Sequence, residues 1–360
     1  MERWIVVMMA MAAEGAPTIK EWRELYEAAA EFKELACWKW MWDHDLIGVQ
    51  DPETGMIGYC CVMGRAGEHF GIAAYMGSEG LAGYLMLATA EVPPTPAEMI
   101  EINKCLMASF ENRGFLTGED RRVLKRLGLR FRGTNAWPQF RSYEPGLHPW
   151  YLKSHEARFL TTCIRQTMGV ARRLKDDPDL LKRPSKDAPV FLVRIPTVKD
   201  DGVSWSETWI EPPPPELPEI PMPTIDRERL ELIKNALRQG DDIWEADVFY
   251  SPEAVRDGNE RPWFPRMVML VDSDAGMVLD SDITEQDEWP ERLAVMFIGM
   301  VEGVGKLPRA LFVCRGAVSE IMEPITSYLG IALIEVEDLE ATEHVRTALD
   351  EDFLVGRGAS

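Results

Sequence analysis

Apolar residues recur at helical spacing after Thr18. Trp22, Leu25, Tyr26, Ala29 and Phe32 repeat every three or four positions, and Thr18-Ile19-Lys20-Glu21 has the form of a capping box. The pattern predicts an amphipathic helix ending near Leu35. It then changes period: residues 45–49 and 56–63 are short apolar runs separated by Asp51-Pro52-Glu53-Thr54-Gly55, a turn-forming string, so a β-hairpin is expected. Residues 69–76 read as a third strand and residues 78–90 as a helix. Pro93, Pro94 and Pro96 break the chain. Helical spacing resumes over residues 97–110 and 119–127, residues 133–149 read as irregular, and a long helix is expected over 151–174. Residues 190–195 and 203–210 read as strands.

Residues 211–223 hold seven prolines and mark the clearest boundary in the chain. They predict an extended, semi-rigid linker, and the flanking Glu211, Glu216 and Glu219 lack the basic anchors of an SH3-type ligand. Beyond it the pattern alternates: a helix over 227–237, a buried strand over 267–272, a turn at Ser273-Asp274-Ala275-Gly276 and a partner strand from Met277. Then come a helix over 290–304, a strand over 310–314, a helix over 317–329, a strand over 331–336 and a helix over 339–349. Such alternation implies parallel crossovers. The expected fold class is therefore an α+β N-terminal domain over residues 18–210, followed by a smaller α/β domain over residues 224–350. A hairpin followed by βαβα units is the order of ribonuclease H-like folds, with one hairpin strand not evident. Residues 1–17 and 351–360 remain as a leading segment and a tail. The turns at residues 49–57 and 271–278 echo each other, as duplication of one unit or, more simply, shared hairpin chemistry would make them.

Composition changes the picture once it is divided along the chain. The formal charge is −21, from 39 Lys and Arg against 60 Asp and Glu, which argues against a uniformly basic nucleic-acid or membrane binder. Residues 1–103 carry 6 basic and 16 acidic side chains, residues 104–199 carry 20 and 9, and residues 200–360 carry 13 and 35. The middle is basic. Arg121, Arg122, Lys125 and Arg126 form one helical stripe, followed by Arg130, Arg132 and Arg141 among Trp137 and Phe140. Guanidinium groups with interleaved aromatics bind phosphates and stack bases. The expected function is that of a soluble cytoplasmic binding or interaction protein. Its basic surface within residues 104–199 would engage an acidic partner: nucleic acid, its own acidic C-terminal domain, or that domain in a second copy. The six cysteines form no C-x-x-C pair, which favours reduced thiols over zinc or a disulfide framework. The apolar run at residues 4–13 reads as a buried strand or an over-long start rather than a signal peptide, and no run is long enough for a membrane span.

Three further constellations carry candidate chemistry. Asp272, Asp274, Asp280 and Asp282 cluster around the second hairpin. In a ribonuclease H-like fold Asp272 on the first strand would help bind divalent cations for phosphodiester hydrolysis, with Glu302 as a second carboxylate. The strand that follows ends in Cys314-Arg315, where such a site needs another Asp. Gly77, Gly80 and Gly83 form a strand-to-helix turn of the kind that cradles phosphate in nucleotide or acyl-CoA binding, although it matches neither fingerprint. Trp38, Trp40 and Trp42 would share one face if extended, beside Asp43-His44-Asp45, where His44 is a candidate base.

Four stretches together carry a resemblance: Trp38 to Asp43; Gly55 to Gly64; Phe140-Arg141-Ser142-Tyr143-Glu144-Pro145-Gly146 with Pro149-Trp150; and Arg261-Pro262-Trp263-Phe264-Pro265. The chain resembles a prokaryotic two-domain family whose halves are domains of unknown function, over most of residues 18–345. The resemblance implies a two-domain organisation and transfers no activity.

Overall fold

A computed structural model of the chain describes residues 15–90, 94–185, 188–200, 202–216, 219–258 and 260–357; the apolar run at residues 4–13 lies outside them. The chain divides into two compact units. Unit 1 comprises Met1–Pro94, Ile102–Pro145 and Pro149–Leu217, and unit 2 comprises Thr95–Glu101, Gly146–His148 and Pro218–Ser360.

Unit 1 opens with α1 (Ile19–Leu35), started by the expected capping box: the Thr18 hydroxyl accepts from the Glu21 amide while the Glu21 carboxylate accepts from the Thr18 amide. Ala36 ends it in the left-handed region at φ 50°. The hairpin follows as β1 (Ile47–Gln50) and β2 (Ile57–Met63), then β3 (Gly71–Met76), α2 (Gly77–Thr89), α3 (Pro96–Ile102), which belongs to unit 2 except for its last residue, and β4 (Cys105–Glu111). Next come α4 (Gly118–Leu127), β5 (Trp137–Tyr143), α5 (Ser154–Asp176), β6 (Phe191–Lys199) and β7 (Gly202–Ile210). The strands form one sheet ordered β5-β4-β3-β2-β1-β6-β7, antiparallel except where β1 meets β6. On one face Cys60, Val62, Ile72, Ala74, Leu106 and Ala108 pack with Leu25 and Phe32 of α1 and Leu160, Cys163 and Ile164 of α5. On the other, Tyr59, Cys61, Ala73 and Tyr75 pack with Leu81 and Tyr84 of α2. Burial on both faces is why β2 and β3 read as continuous apolar runs.

Two expectations are corrected here. Residues 97–110 are not one helix, because Leu106, Ala108 and Phe110 alternate inward and pair with β3 and β5; sheet pairing overrides the helical preference of Leu, Met and Ala. Within the stretch read as irregular, β5 buries Pro138, Phe140 and Ser142 in alternation; Pro138 is tolerated because β5 is an edge strand.

Glu21 also ties α1 to α5. Its carboxylate accepts from Ser154 Oγ at 2.7 Å and from Arg158 at 2.6 Å. Burial pushes this carboxyl up, but the hydrogen bonds from Ser154, the Thr18 amide and Arg158 outweigh it and hold the group at about 2, from an ordinary 4.5. A depressed carboxylate contributes stability above its unfolded value that is lost as pH falls through the folded one. The wild-type chain is therefore expected to lose melting temperature between pH 4.5 and 2, and Glu21→Gln to start lower at neutral pH and lose less across that window. Parallel pH profiles would refute the assignment.

Unit 2 contains α6 (Arg227–Ala236), β8 (Ile243–Tyr250), β9 (Arg266–Asp272), β10 (Met277–Thr284), α7 (Trp289–Val304), β11 (Ala310–Val313), α8 (Gly316–Leu329), β12 (Ala332–Glu335) and α9 (Glu340–Arg357). The sheet order is β10-β9-β8-β11-β12, with β8, β9 and β10 antiparallel in turn and β11 and β12 parallel to β8. The strand missing from the sequence pattern is β8. Trp244, Ala246 and Val248 face the core formed with α7 and α8, while Phe249, Met267, Met269 and Val271 pack with Ala341, Val345 and Leu349 of α9. Glu245 and Asp247 of β8 are also buried, and two carboxylates in a central strand hid it from an apolar reading. Two short segments from the first half of the chain join unit 2 through hydrogen bonds: the Gly146 amide to the Ile100 carbonyl, the Phe264 amide to the Gly146 carbonyl, and the His148 amide to the Pro262 carbonyl.

The two echoed turns are alike in detail. In each, the carbonyl of an Asp (Asp51 or Asp272) accepts from a Gly four residues on (Gly55 or Gly276) at 2.9 Å. Both glycines have positive φ, and each Asp carboxylate accepts from turn amides. Asp and Gly are common formers of such turns.

Candidate functional site

α4 is a short helix closed at both ends. Thr117 and Asp120 form a capping box and Gly128 ends it in the left-handed region. Val123, Leu124 and Leu127 face the core, which leaves Arg121, Arg122, Lys125 and Arg126 on the outer face as the spacing predicted. Arg130 and Arg132 are exposed beyond the helix. Their commitments differ. Arg121 donates to the carbonyls of Leu116 and Thr117, and Arg122 pairs with Glu119 at 2.7 Å. Among the described residues, Lys125, Arg126, Arg130 and Arg132 have no carboxylate within 4.0 Å. Beside the start of α4 stands Phe115, 68% exposed, an aromatic that the sequence reading missed; Arg113 lies over the Trp137 ring.

Arg141 does not belong to this surface and is a correction. Its guanidinium makes two hydrogen bonds, at 2.9 and 2.7 Å, to the buried carboxylate of Asp120, lies over the Tyr151 ring and so pins α4 to β5. Burial would raise the Asp120 carboxyl, but the Arg141 hydrogen bonds and charge hold it below the ordinary range.

The Gly77–Gly83 turn packs backbone against backbone. A Cβ on Gly80 would stand 2.5 Å from the Lys104 carbonyl oxygen, and one on Gly83 would stand 2.1 Å from that of Ile102. These glycines let α2 approach the chain entering β4, and Gly77 supplies a positive φ of 65° at the strand end. Glu79 is ion-paired with Lys104. The three tryptophans are not extended either, because Cys37–Lys39 is a 3-10 turn. Trp38 is buried, Trp40 donates from its indole nitrogen to the Ala171 carbonyl at 2.9 Å, and only Trp42 is exposed, between Arg65 and His44. His44 sits on the surface with Asp43 at 3.5 Å.

The acidic cluster is dispersed by the fold. Asp272 ends β9, the second strand of the antiparallel trio and not the first. It stands opposite Trp244 at the start of β8, and its carboxylate accepts from the Asp274 and Ala275 amides. Asp274 is an exposed turn residue. Asp280 and Asp282 lie on the edge strand β10, where charges oppose pairing with another sheet, and Asp282 is ion-paired with Arg292. Glu302 of α7 pairs with Arg229 at 2.7 Å. Among the described residues, no group of three or more His, Cys, Asp or Glu side chains is placed to hold a metal ion.

The first strand of the trio carries two acids, Glu245 and Asp247, and Asp247 is the one that lines a cleft. Asp247 stands where β11 ends, so Cys314 and Arg315 project beside it. This is also where the connectivity of the sheet reverses, and open α/β sheets bind ligands in the crevice at such points. Arg315 Nε donates to Asp247 at 2.9 Å and another of its nitrogens to Glu101 at 2.6 Å; Glu101 also accepts from Arg266 at 2.6 Å. Burial opposes ionisation of both partners, yet Arg315 and Arg266 hold the Glu101 carboxyl below its ordinary range, and Asp247 and Glu101 hold the Arg315 guanidinium above its own. Glu245, on the same face of β8, caps α9 by accepting from the Thr342 amide at 2.8 Å and the Thr342 hydroxyl at 2.9 Å. Burial and the nearby Asp247 charge push the Cys314 thiol up to about 11, so it is a neutral thiol and a poor nucleophile. Asp247, Cys314, Arg315 and the start of α9 line a cleft of about 890 Å³.

The two halves match different family models. Residues 22–194 match Domain of unknown function (DUF7309) and residues 229–350 match Domain of unknown function (DUF6930). The chain thus belongs to the two-domain architecture that these families make together, as the resemblance implied. No curated protein matches it. Among the described residues, no helix is long and apolar enough to cross a membrane.

Proposed function

We propose that the chain is a cytoplasmic binding protein that engages an anionic macromolecule through the outer face of α4 and the loop after it. The observation that carries this reading is that Lys125, Arg126, Arg130 and Arg132 are exposed and lack carboxylate partners among the described residues, beside an exposed Phe115. The charge distribution supports it. Unit 1 carries 26 Lys and Arg against 28 Asp and Glu, a net −2, while unit 2 carries 13 against 32, a net −19. The cationic face therefore lies on a nearly neutral unit, and at physiological salt a surface charge acts over about 8 Å. All six cysteines are free thiols, in keeping with a reducing compartment.

Anisotropy of a labelled single-stranded oligonucleotide and of labelled polyglutamate separates nucleic acid from acidic protein. Saturable binding to at least one of them at low salt is expected, and K125E/R126E/R130E/R132E abolishes it. Binding of neither, or unchanged binding by that variant, would overturn the proposal.

For unit 2 we infer a ribonuclease H-like topology, supported by the order β10-β9-β8-β11-β12 with β9 antiparallel to its neighbours. Phosphodiester chemistry does not follow from it. Asp272 is committed to its turn, and at Asp247 the neighbouring strand end offers the guanidinium of Arg315 in place of a carboxylate.

A further inference from the structure

Four strands end the two sheets, and three of them are guarded against pairing with another chain. β5 carries Pro138, and its Ser142 is bridged to Trp150. β10 carries Asp280 and Asp282 and is interrupted by a bulge between Val278 and Asp280, and β12 is only four residues long. β7 carries none of these devices. Its nine residues, Gly202 to Ile210, contain no Lys, Arg or Pro, and they pair with β6 without a bulge from Phe191↔Ile210 to Lys199↔Gly202. Its one charge, Glu207, is neutralised by hydrogen bonds from Arg173 and Arg194. Among the described residues, no backbone hydrogen bond joins β7 to anything but β6. A long, unguarded edge is a template for one more strand.

The residues of β7 indicate which strand fits. The two-residue turn after Lys199 makes Lys199↔Gly202 a hydrogen-bonded pair, so the N–H and C=O groups of Val203, Trp205, Glu207 and Trp209 point away from β6. A second β7 laid antiparallel about a two-fold axis at Ser206 sets Trp205 opposite Glu207 and Val203 opposite Trp209 on one face, and Ser204 opposite Thr208 on the other. All nine residues are then paired, with about eight new backbone hydrogen bonds, and no like charges meet. An axis at Glu207 would place two carboxylates opposite each other, and an axis at Trp205 would leave Trp209 and Ile210 beyond the partner's strand. Val203, 45% exposed, gains an aromatic neighbour only with the axis at Ser206.

We propose that β7 is a self-association edge. Two copies of the chain pair through it, antiparallel about Ser206, and join two seven-stranded sheets into one. The pairing is independent of the cationic face on α4.

Sedimentation equilibrium of the full chain reads the mass. An interface of one strand pair is small, so a reversible dimer is expected to be populated at about 100 μM chain. Ser206→Lys sets two ammonium groups against each other at the axis, and Ser206→Asp two carboxylates. Each alone is expected to weaken dimerisation at least tenfold, and their equimolar mixture to restore it. Ser281→Lys on the exposed β10 edge is expected to change it less than twofold. A synthetic peptide of residues 202–210, a test that needs no variant to fold, is expected to dissociate the wild-type dimer. A monomeric wild type at that concentration, a dimer untouched by the Ser206 variants or by the peptide, a mixture that stays monomeric, or a dimer broken by Ser281→Lys would each overturn the proposal. So would a monomeric chain that takes an alternating Val-Thr peptide along this edge, which would assign β7 to another protein.

Discussion

Arg315→Met is expected to destabilise unit 2 by about 3–5 kcal/mol, because it leaves two acids without the cation that offsets their desolvation. Asp247 is almost completely buried and Glu101 mostly so, and Arg315 bridges them with hydrogen bonds of 2.9 and 2.6 Å. Glu101 retains Arg266, but Asp247 keeps only Arg346 at 3.9 Å. The loss is therefore concentrated at Asp247, and the double variant R315M/D247N should recover much of it. Calorimetric melting of the full chain reads both effects. A loss below about 1 kcal/mol, or a double variant no more stable than the single one, would show that the network is not what holds the end of β11 against β8.

Gly83→Ala carries the second large effect, and its sign separates two accounts of the Gly77–Gly83 turn. In a helix interior, Ala ordinarily stabilises by about 0.5–1 kcal/mol over Gly. Here the new Cβ would meet the Ile102 carbonyl oxygen at 2.1 Å, a backbone atom that has no rotamer to escape into. Overpacking of this kind costs about 1–3 kcal/mol, and a lowered melting temperature is expected. Gly169→Ala in α5, where nothing lies within 4 Å, is the matched exchange and is expected to raise it. If both exchanges stabilise, close packing of α2 is not the reason for Gly83.

The elements that the sequence disclosed are those with one local cause. The capping box at Thr18, the Asp and Gly of the two hairpin turns and the cationic spacing of α4 need no distant partner, and each forms as expected. The elements it hid depend on distant pairing. β4 has helix-forming residues made into a strand by neighbours on both sides, and β8 carries Glu245 and Asp247, whose buried positions make sense only once Arg315, Glu101 and the α9 amides are brought to them. The same cause split the candidate site. Local spacing placed the exposed cations correctly but could not show that Arg141 turns inward to Asp120, or that Asp272 caps a turn while Asp247 faces the cleft.

The cationic face of α4 is the central claim, and the salt dependence of binding addresses it most directly. For a single-stranded oligonucleotide, each phosphate contact contributes about 0.7 to the slope of log K against log salt. Wild type and the variant K125Q/R126Q/R130Q/R132Q are compared over the same salt range. The account predicts a steep negative slope for the wild type and a slope shallower by about 3 for the variant, four contacts at about 0.7 each. Equal slopes, or a wild-type affinity that does not change with salt, would contradict it.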